Sequence, residues 1–286
     1  MGSKREQGET EKKMETIITS VQNPRVKTWS QLLDRKGREK QGRFIIEGTH
    51  LVVEALRSAA DIETILVSPF ARGAEELQQA WHLWQEEHPG HSLEWVEVSD
   101  EILVKCSDAQ TPQPVLAILR KPDQAADALF ELGDAPLVVV VDGVQDPGNL
   151  GTIIRSCDAA GADAVVLGRG TVDLYNPKTV RSTMGSLFHL PIVQADLIPL
   201  LTEARSRGIR IVSTSLQAQQ TCYETDWREG AWIVVGHEAN GVSAGVTELV
   251  DTSVIIPMRG QAESLNVAMA ATIMLFEATR QRYFAG

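Results

Sequence analysis

Leu137-Val138-Val139-Val140-Val141-Asp142-Gly143-Val144-Gln145-Asp146-Pro147-Gly148-Asn149-Leu150-Gly151-Thr152-Ile153-Ile154-Arg155 is the stretch that decides the fold. The β-branched run before Asp142 reads as a parallel strand covered on both faces. Behind it, Pro147 fixes φ, Gly148 frees it and Asn149 can cap a helix, so a sharp turn is expected. Leu150, Ile153, Ile154 and Cys157 then follow helical spacing up to Gly161. Strand, tight turn and helix in that order place the turn at the carboxyl end of a strand, where open α/β sheets bind ligands.

The alternation continues downstream. Strands are expected over 164–167, 190–193, 209–213, 232–235 and 254–256, and helices over 177–188, 197–207 and 267–283. The run Val267-Ala268-Met269-Ala270-Ala271-Thr272-Ile273-Met274-Leu275-Phe276 is apolar nearly all round, which suits a core position or a subunit interface. Upstream, residues 16–43 begin with two short helices broken near Asn23-Pro24. Strands over 42–48, 62–68, 93–98 and 115–119 and helices over 49–59 and 74–87 then form a smaller α/β domain, with Trp81 and Trp84 in its core. The expected organisation is a disordered leader at 1–15, a first domain over 16–121, a linker over 122–134 and a second domain over 135–286.

The 286 residues carry a net charge of −11, with 43% hydrophobic and 23% charged residues, the balance of a soluble protein. That charge argues against a general nucleic-acid coat protein. One window runs the other way: Arg25, Lys27, Arg35, Lys36, Arg38, Lys40 and Arg43 face only Asp34 and Glu39. It is either a solvated helix face or a phosphate-contacting stripe. No apolar run approaches a membrane span and the first residues lack a signal-peptide core, so a cytoplasmic location is expected. Cys106, Cys157 and Cys222 are widely spaced and form no C-x-x-C pair, which speaks for buried thiols and against a metal.

Two further loops stand out, Gly236-His237-Glu238-Ala239-Asn240-Gly241 and Ile256-Pro257-Met258-Arg259-Gly260-Gln261-Ala262-Glu263-Ser264-Leu265-Asn266. The first loop offers amide donors at a helix N-terminus, and Arg155 shares a helical face with Gly151 and Thr152, from which it reaches back toward the loop. Glu238 between two glycines can orient a cation or backbone amides. Ser264 is a natural N-cap for the last helix, and Asn266 both donates and accepts. Each loop alone is compatible with an ordinary capped turn. The chain shows no Ser-His-Asp order, paired carboxylates, P-loop lysine or G-x-G-x-x-G after a strand. A group-transfer enzyme that positions two ligands fits better than a hydrolase.

Together the three loops resemble the signature motifs of the SpoU family of RNA ribose 2′-O-methyltransferases, of the SPOUT superfamily. Asn149 is followed six residues later by Arg155; Gly236, Glu238 and Gly241 meet G-x-E-x-x-G; and Ile256 to Asn266 meet I-P-M-x-G-x-x-x-S-L-N. Asn176-Pro177-Lys178 and Gly185-Ser186-Leu187-Phe188-His189-Leu190-Pro191 look like the family's intervening segment. The likeness covers roughly residues 137–283, while 17–120 more loosely resembles the substrate-binding domain of ribosomal-RNA members. It implies a parallel sheet ending in a deep trefoil knot, S-adenosylmethionine as cofactor, a homodimer and an RNA substrate bound across both subunits. It implies cofactor contacts at Gly236, Ile256, Ser264 and Leu265, and catalytic roles for Arg155, Asn149, Glu238 and Asn266. Under this resemblance the basic window gains weight as an RNA contact through Lys36, Arg38, Lys40 and Arg43. Transfer RNA as substrate, or a catalytically silent RNA-binding or ribosome-assembly factor on the same fold, are the competing expectations.

Overall fold

The computed structural model describes residues 16–284 apart from 70, 72, 73 and 92, so the expected leader at 1–15 lies outside the described residues. Two sheets organise the chain. The amino-terminal sheet is built from β1 (Thr16–Ile18), β2 (Arg43–Glu47), β3 (Ile62–Val67), β4 (Glu94–Val98) and β5 (Val115–Arg120), in the order β1-β4-β3-β5-β2. β1, β4 and β3 run parallel, whereas β5 is antiparallel to both β3 and β2. Helices α1 (Pro24–Ser30), α2 (Arg35–Gln41), α3 (Thr49–Leu56), α4 (Glu75–Glu87) and α5 (Asp100–Lys105) accompany it. The tryptophan expectation holds for Trp84, which is buried; Trp81 stacks on it with centroids 5.2 Å apart but is only partly buried against the core.

The segment 121–134 carries only a 3-10 turn at Ala126–Glu131. Beyond it come β6 (Leu137–Asp142), α6 (Pro147–Ala160), β7 (Ala164–Leu167), α7 (Pro177–Thr183), β8 (Ile192–Gln194), α8 (Leu197–Ser206), β9 (Arg210–Thr214), β10 (Ala231–Gly236), α9 (Ala244–Thr247), β11 (Thr252–Val254) and α10 (Val267–Thr279). The six strands are ordered β11-β9-β10-β6-β7-β8 and every pairing is parallel. Leu137 to Val141 are all buried, as the continuous β-branched run requires. From β6 the chain winds outward through β7 and β8, then returns to fill the opposite side. The reversal falls between β6 and β10, so the loops after these two strands open into the crevice where such sheets hold ligands.

One helix is shorter than its sequence pattern. The helix expected over 177–188 stops at Thr183, because Met184 takes a left-handed φ of 53° and Gly185 follows at 98°. His50 Nε2 lies 3.1 Å from the Met184 carbonyl, and a Cβ on Gly185 would meet Glu54 Cγ at 2.7 Å. The amino-terminal layer thus presses on this bend and fixes it.

The two layers are tied by charged groups. Arg38 donates to the Leu32 and Leu33 carbonyls at 2.7 and 2.8 Å and to Asp173 at 2.6 and 3.0 Å. Arg181 of α7 reaches Asp108 and Glu47, and His189 contacts Glu54 at 3.1 Å and Asp158 at 2.8 Å. The placement of Arg38 corrects one sequence expectation. Its side chain is only 3% exposed and its donors are committed to the layer seam, so it is not presented to RNA.

Candidate active site

The site forms where the loops after β6, β10 and β11 converge. Asp146 caps α6, its carboxylate accepting from Asn149 N–H at 2.9 Å, with Pro147 in the first turn. The capping role expected for Asn149 therefore falls to Asp146, and the Asn149 side chain is released for other work. Its amide nitrogen donates to Glu238 Oε1 at 2.9 Å, and its carbonyl oxygen accepts from Asn266 Nδ2 at 2.9 Å. Glu238 also accepts from the Gln145 and Asp146 N–H groups, both at 3.1 Å. Asn266 in turn caps α10 by accepting from Ala268 and Met269 N–H at 2.9 and 3.3 Å. Asn266, not Ser264, is thus the N-cap of the last helix.

Glu238, Asn149 and Asn266 form one line of hydrogen bonds joining three loops. Partial desolvation disfavours the Glu238 carboxylate. The Asn149 amide and the backbone N–H groups outweigh it and hold the pKa down to about 2. Glu238 is therefore an ionised acceptor near neutrality and not a proton shuttle. His237 is spent on the turn: its Nδ1 accepts from Ala239 N–H at 3.0 Å, and its backbone exchanges two hydrogen bonds of 2.9 Å with Gly241.

Gly236, at the end of β10, is where this turn folds back. A Cβ there would lie 2.2 Å from the Gly241 carbonyl carbon and 2.3 Å from Val242 N, so only glycine permits the closure. Beside it lies a cleft of ≈ 590 Å³. Gly236, Ile256, Ser264 and Leu265 all line it, together with Glu238 and the 213–217 segment that follows β9. Asn149, Asn266 and Arg155 are outside the lining of this cleft. Arg155 is exposed on α6 and makes no hydrogen bond or ion pair among the described residues. The sequence pattern missed the 213–217 wall, because Ser213-Thr214-Ser215-Leu216-Gln217 carries no spacing that marks it.

Lys36 and Lys40 are exposed on α2 and make no ion pair among the described residues. Arg43 is half-exposed and held by Glu63 at 2.6 Å. Among the described residues no group of three His, Cys, Asp or Glu side chains is placed to hold a metal, and no helix is long and apolar enough to cross a membrane. All three cysteines are buried, and burial pushes the Cys106 thiol up to about 12.

An open parallel sheet, a glycine-closed cleft at its reversal and a Glu-Asn-Asn relay define an α/β protein built to position a ligand. Residues 136–276 match the SpoU rRNA Methylase family and residues 23–117 match the MRM3-like substrate binding domain. The chain is 39% identical over 259 residues to the 23S rRNA (guanosine(2553)-2'-O)-methyltransferase RlmP of Bacillus subtilis (strain 168), covering 91% of this chain and 97% of that protein. It is 32% identical over 274 residues to the 23S rRNA (uridine(2479)-2'-O)-methyltransferase of Streptomyces viridochromogenes, covering 93% and 92%. Among solved structures, the AdoMet-bound rRNA methyltransferase from Sinorhizobium meliloti superposes with a TM-score of 0.82 at 31% identity, covering 94% of this chain and 99% of that one. The chain belongs to the SpoU rRNA methylase family.

Proposed function

We propose that this protein transfers a methyl group from S-adenosylmethionine to a ribose 2′-hydroxyl of ribosomal RNA. The observation that carries the reading is the relay Glu238–Asn149–Asn266 set at the edge of the cleft bounded by Gly236, Ile256, Ser264 and Leu265. The fit to the cofactor is physical. Closure at Gly236 brings loop backbone against the cleft, and Ile256, Leu265 and Ala270 supply apolar walls, as an amphipathic nucleoside requires. When bound, the cofactor supplies an electrophilic sulfonium methyl. The preference for ribosomal over transfer RNA rests on the relatives' names and on the amino-terminal layer, which matches a substrate-binding domain.

Arg155 is the proposed catalytic cation. A guanidinium stays protonated at neutral pH, so its role is to stabilise the alkoxide that develops on the ribose oxygen. It lies outside the lining of its own chain's cleft, which favours a dimer in which a second copy delivers it. Met269, Phe276 and Tyr283 recur every seventh residue along the carboxyl-terminal helical run and are 48%, 47% and 69% exposed, an apolar stripe suited to a homodimer contact. Ser156 Oγ on α6 lies 2.7 Å from Thr272 Oγ1 on α10, so Arg155 and the stripe sit on directly packed helices. The knot expected of this family has support in the chain path. Ile255, just beyond β11, exchanges hydrogen bonds of 2.9 Å with Gln220 and Cys222 inside the β9–β10 connection.

Arg155→Ala tests the assignment. Methyl transfer to ribosomal RNA is expected to fall by at least ~100-fold, as for loss of one oxyanion donor, with cofactor affinity retained. Turnover close to that of the unaltered protein would remove Arg155 from the chemistry.

A further inference from the structure

A second cavity, of ≈ 470 Å³, lies at the seam of the two layers and shares no lining residue with the cofactor cleft. Phe44 of β2 and Arg120 of β5 contribute from the amino-terminal layer; Tyr175, Phe188 and His189 contribute from the β7–β8 connection. The Phe44 and Tyr175 rings pack 4.5 Å apart at 41°. Tyr175 is only 6% exposed as a residue, and its hydroxyl, which makes no hydrogen bond to the described residues, is not one of the sealed-off polar atoms and is left free to bond a ligand. Gln124 adds a second opening: its carbonyl accepts from Ile192 N–H at 2.7 Å, while its amide nitrogen is unpaired among the described residues. An apolar, aromatic-walled cavity therefore presents two groups that can read the edge of a flat polar ring.

The cavity is connected to the proposed chemistry. His189 in its wall contacts Asp158, and Asp158 lies three residues after Arg155 on α6, hence on a neighbouring part of the same face. Lys121 brings a cation to within 5.0 Å of the Tyr175 ring, while Arg120 is already paired with Glu63 at 2.6 Å.

We propose that this seam cavity receives an unpaired nucleobase of the RNA substrate, packed against the Tyr175–Phe188 wall with its edge bonded to the Tyr175 hydroxyl. The inference rests on RNA being the substrate. Single-stranded bases are recognised by stacking on aromatic side chains and by hydrogen bonds to their exposed edges, which a paired base does not offer. The cavity would let both layers grip the RNA, aligning a ribose with the face that carries Arg155.

Binding of fluorescein-labelled RNA, followed by anisotropy without cofactor, tests this separately from catalysis. The probes are a short mixed-sequence single strand and the same strand in a duplex. Ala59 is exposed at the cavity wall, so Ala59→Trp fills the space without disturbing the core. It is expected to weaken single-strand binding about tenfold, the scale of one lost stacking contact. Tyr175→Phe keeps the ring and is expected to cost about threefold, the scale of one neutral hydrogen bond. Duplex affinity should stay unchanged in both. The assignment is overturned if both variants bind the single strand as the parent does, if duplex binding falls equally, or if the parent binds no single-stranded RNA. Failure of the parent to methylate ribosomal RNA while these binding differences hold would sink the proposed reaction and leave the base site standing.

Discussion

Replacing Glu238 by glutamine tests the relay at its charged end. The carboxylate receives Asn149 and Asp146 on Oε1 and Gln145 on Oε2. Glutamine can keep the first two on its carbonyl oxygen, but its amide nitrogen then faces the Gln145 N–H, donor against donor. The pKa, brought from 4.5 to about 2, would correspond to roughly 3 kcal/mol if fully expressed. Glu238 is solvent-exposed, so screening reduces this to ~1 kcal/mol. The sign follows from the depressed folded pKa. The stabilisation is present above the unfolded value of 4.5 and is lost as pH falls through about 2. Urea midpoints should therefore separate parent and variant by a constant amount at about pH 5 to 8 and converge as the solution is acidified toward about pH 2. Methyl transfer near neutrality should drop by about tenfold to hundredfold, because Asn149 loses its anchor and catalytic geometry tolerates little displacement. A stability gap unchanged by acidification, or full activity in the variant, would refute the reasoning.

Other perturbations probe the seam, the proposed dimer and the basic helix. Arg38→Met leaves the partly buried Asp173 without its cation and the Leu32 and Leu33 carbonyls without their donor, and should destabilise the protein by ~3–5 kcal/mol in denaturant unfolding, with only part of the loss recovered in the double variant Arg38→Met/Asp173→Leu. Phe276→Glu places a charge in the exposed apolar stripe. It should give a monomer by sedimentation and abolish methyl transfer, whereas an active monomer would show that Arg155 serves its own cleft. Reversing Lys36 and Lys40 together should lower the slope of log affinity for RNA against log salt by about 1 to 2, and an unchanged slope would remove α2 from the RNA path.

What the sequence disclosed follows from the range over which each feature is determined. The strand Leu137–Val141 and the turn behind it are specified by neighbouring residues, and both are found where they were expected. The loops after β6 and β10 meet because parallel strands deliver their carboxyl ends to one edge. Three residues, Thr16–Ile18, make β1, and they are a strand only by pairing with β4, which no local pattern announces. The early end of α7 at Thr183 is imposed by contacts from His50 and Glu54 across the seam. Arg38 looked like a solvated cation because its partner, Asp173, stands 135 residues away. Capping by Asn266 was hidden for a similar reason: its place in the loop is set by its bond to Asn149, 117 residues earlier.

The Asn149–Asn266 bond also bears on biogenesis. A growing chain exposes the β6 turn long before residue 266 has been synthesised, so the relay has only two of its three members until the final helix emerges from the ribosome and docks. Completion of the site is thus coupled to the docking of α10, and a chain whose β6 turn has already folded lacks the full relay until that helix is in place.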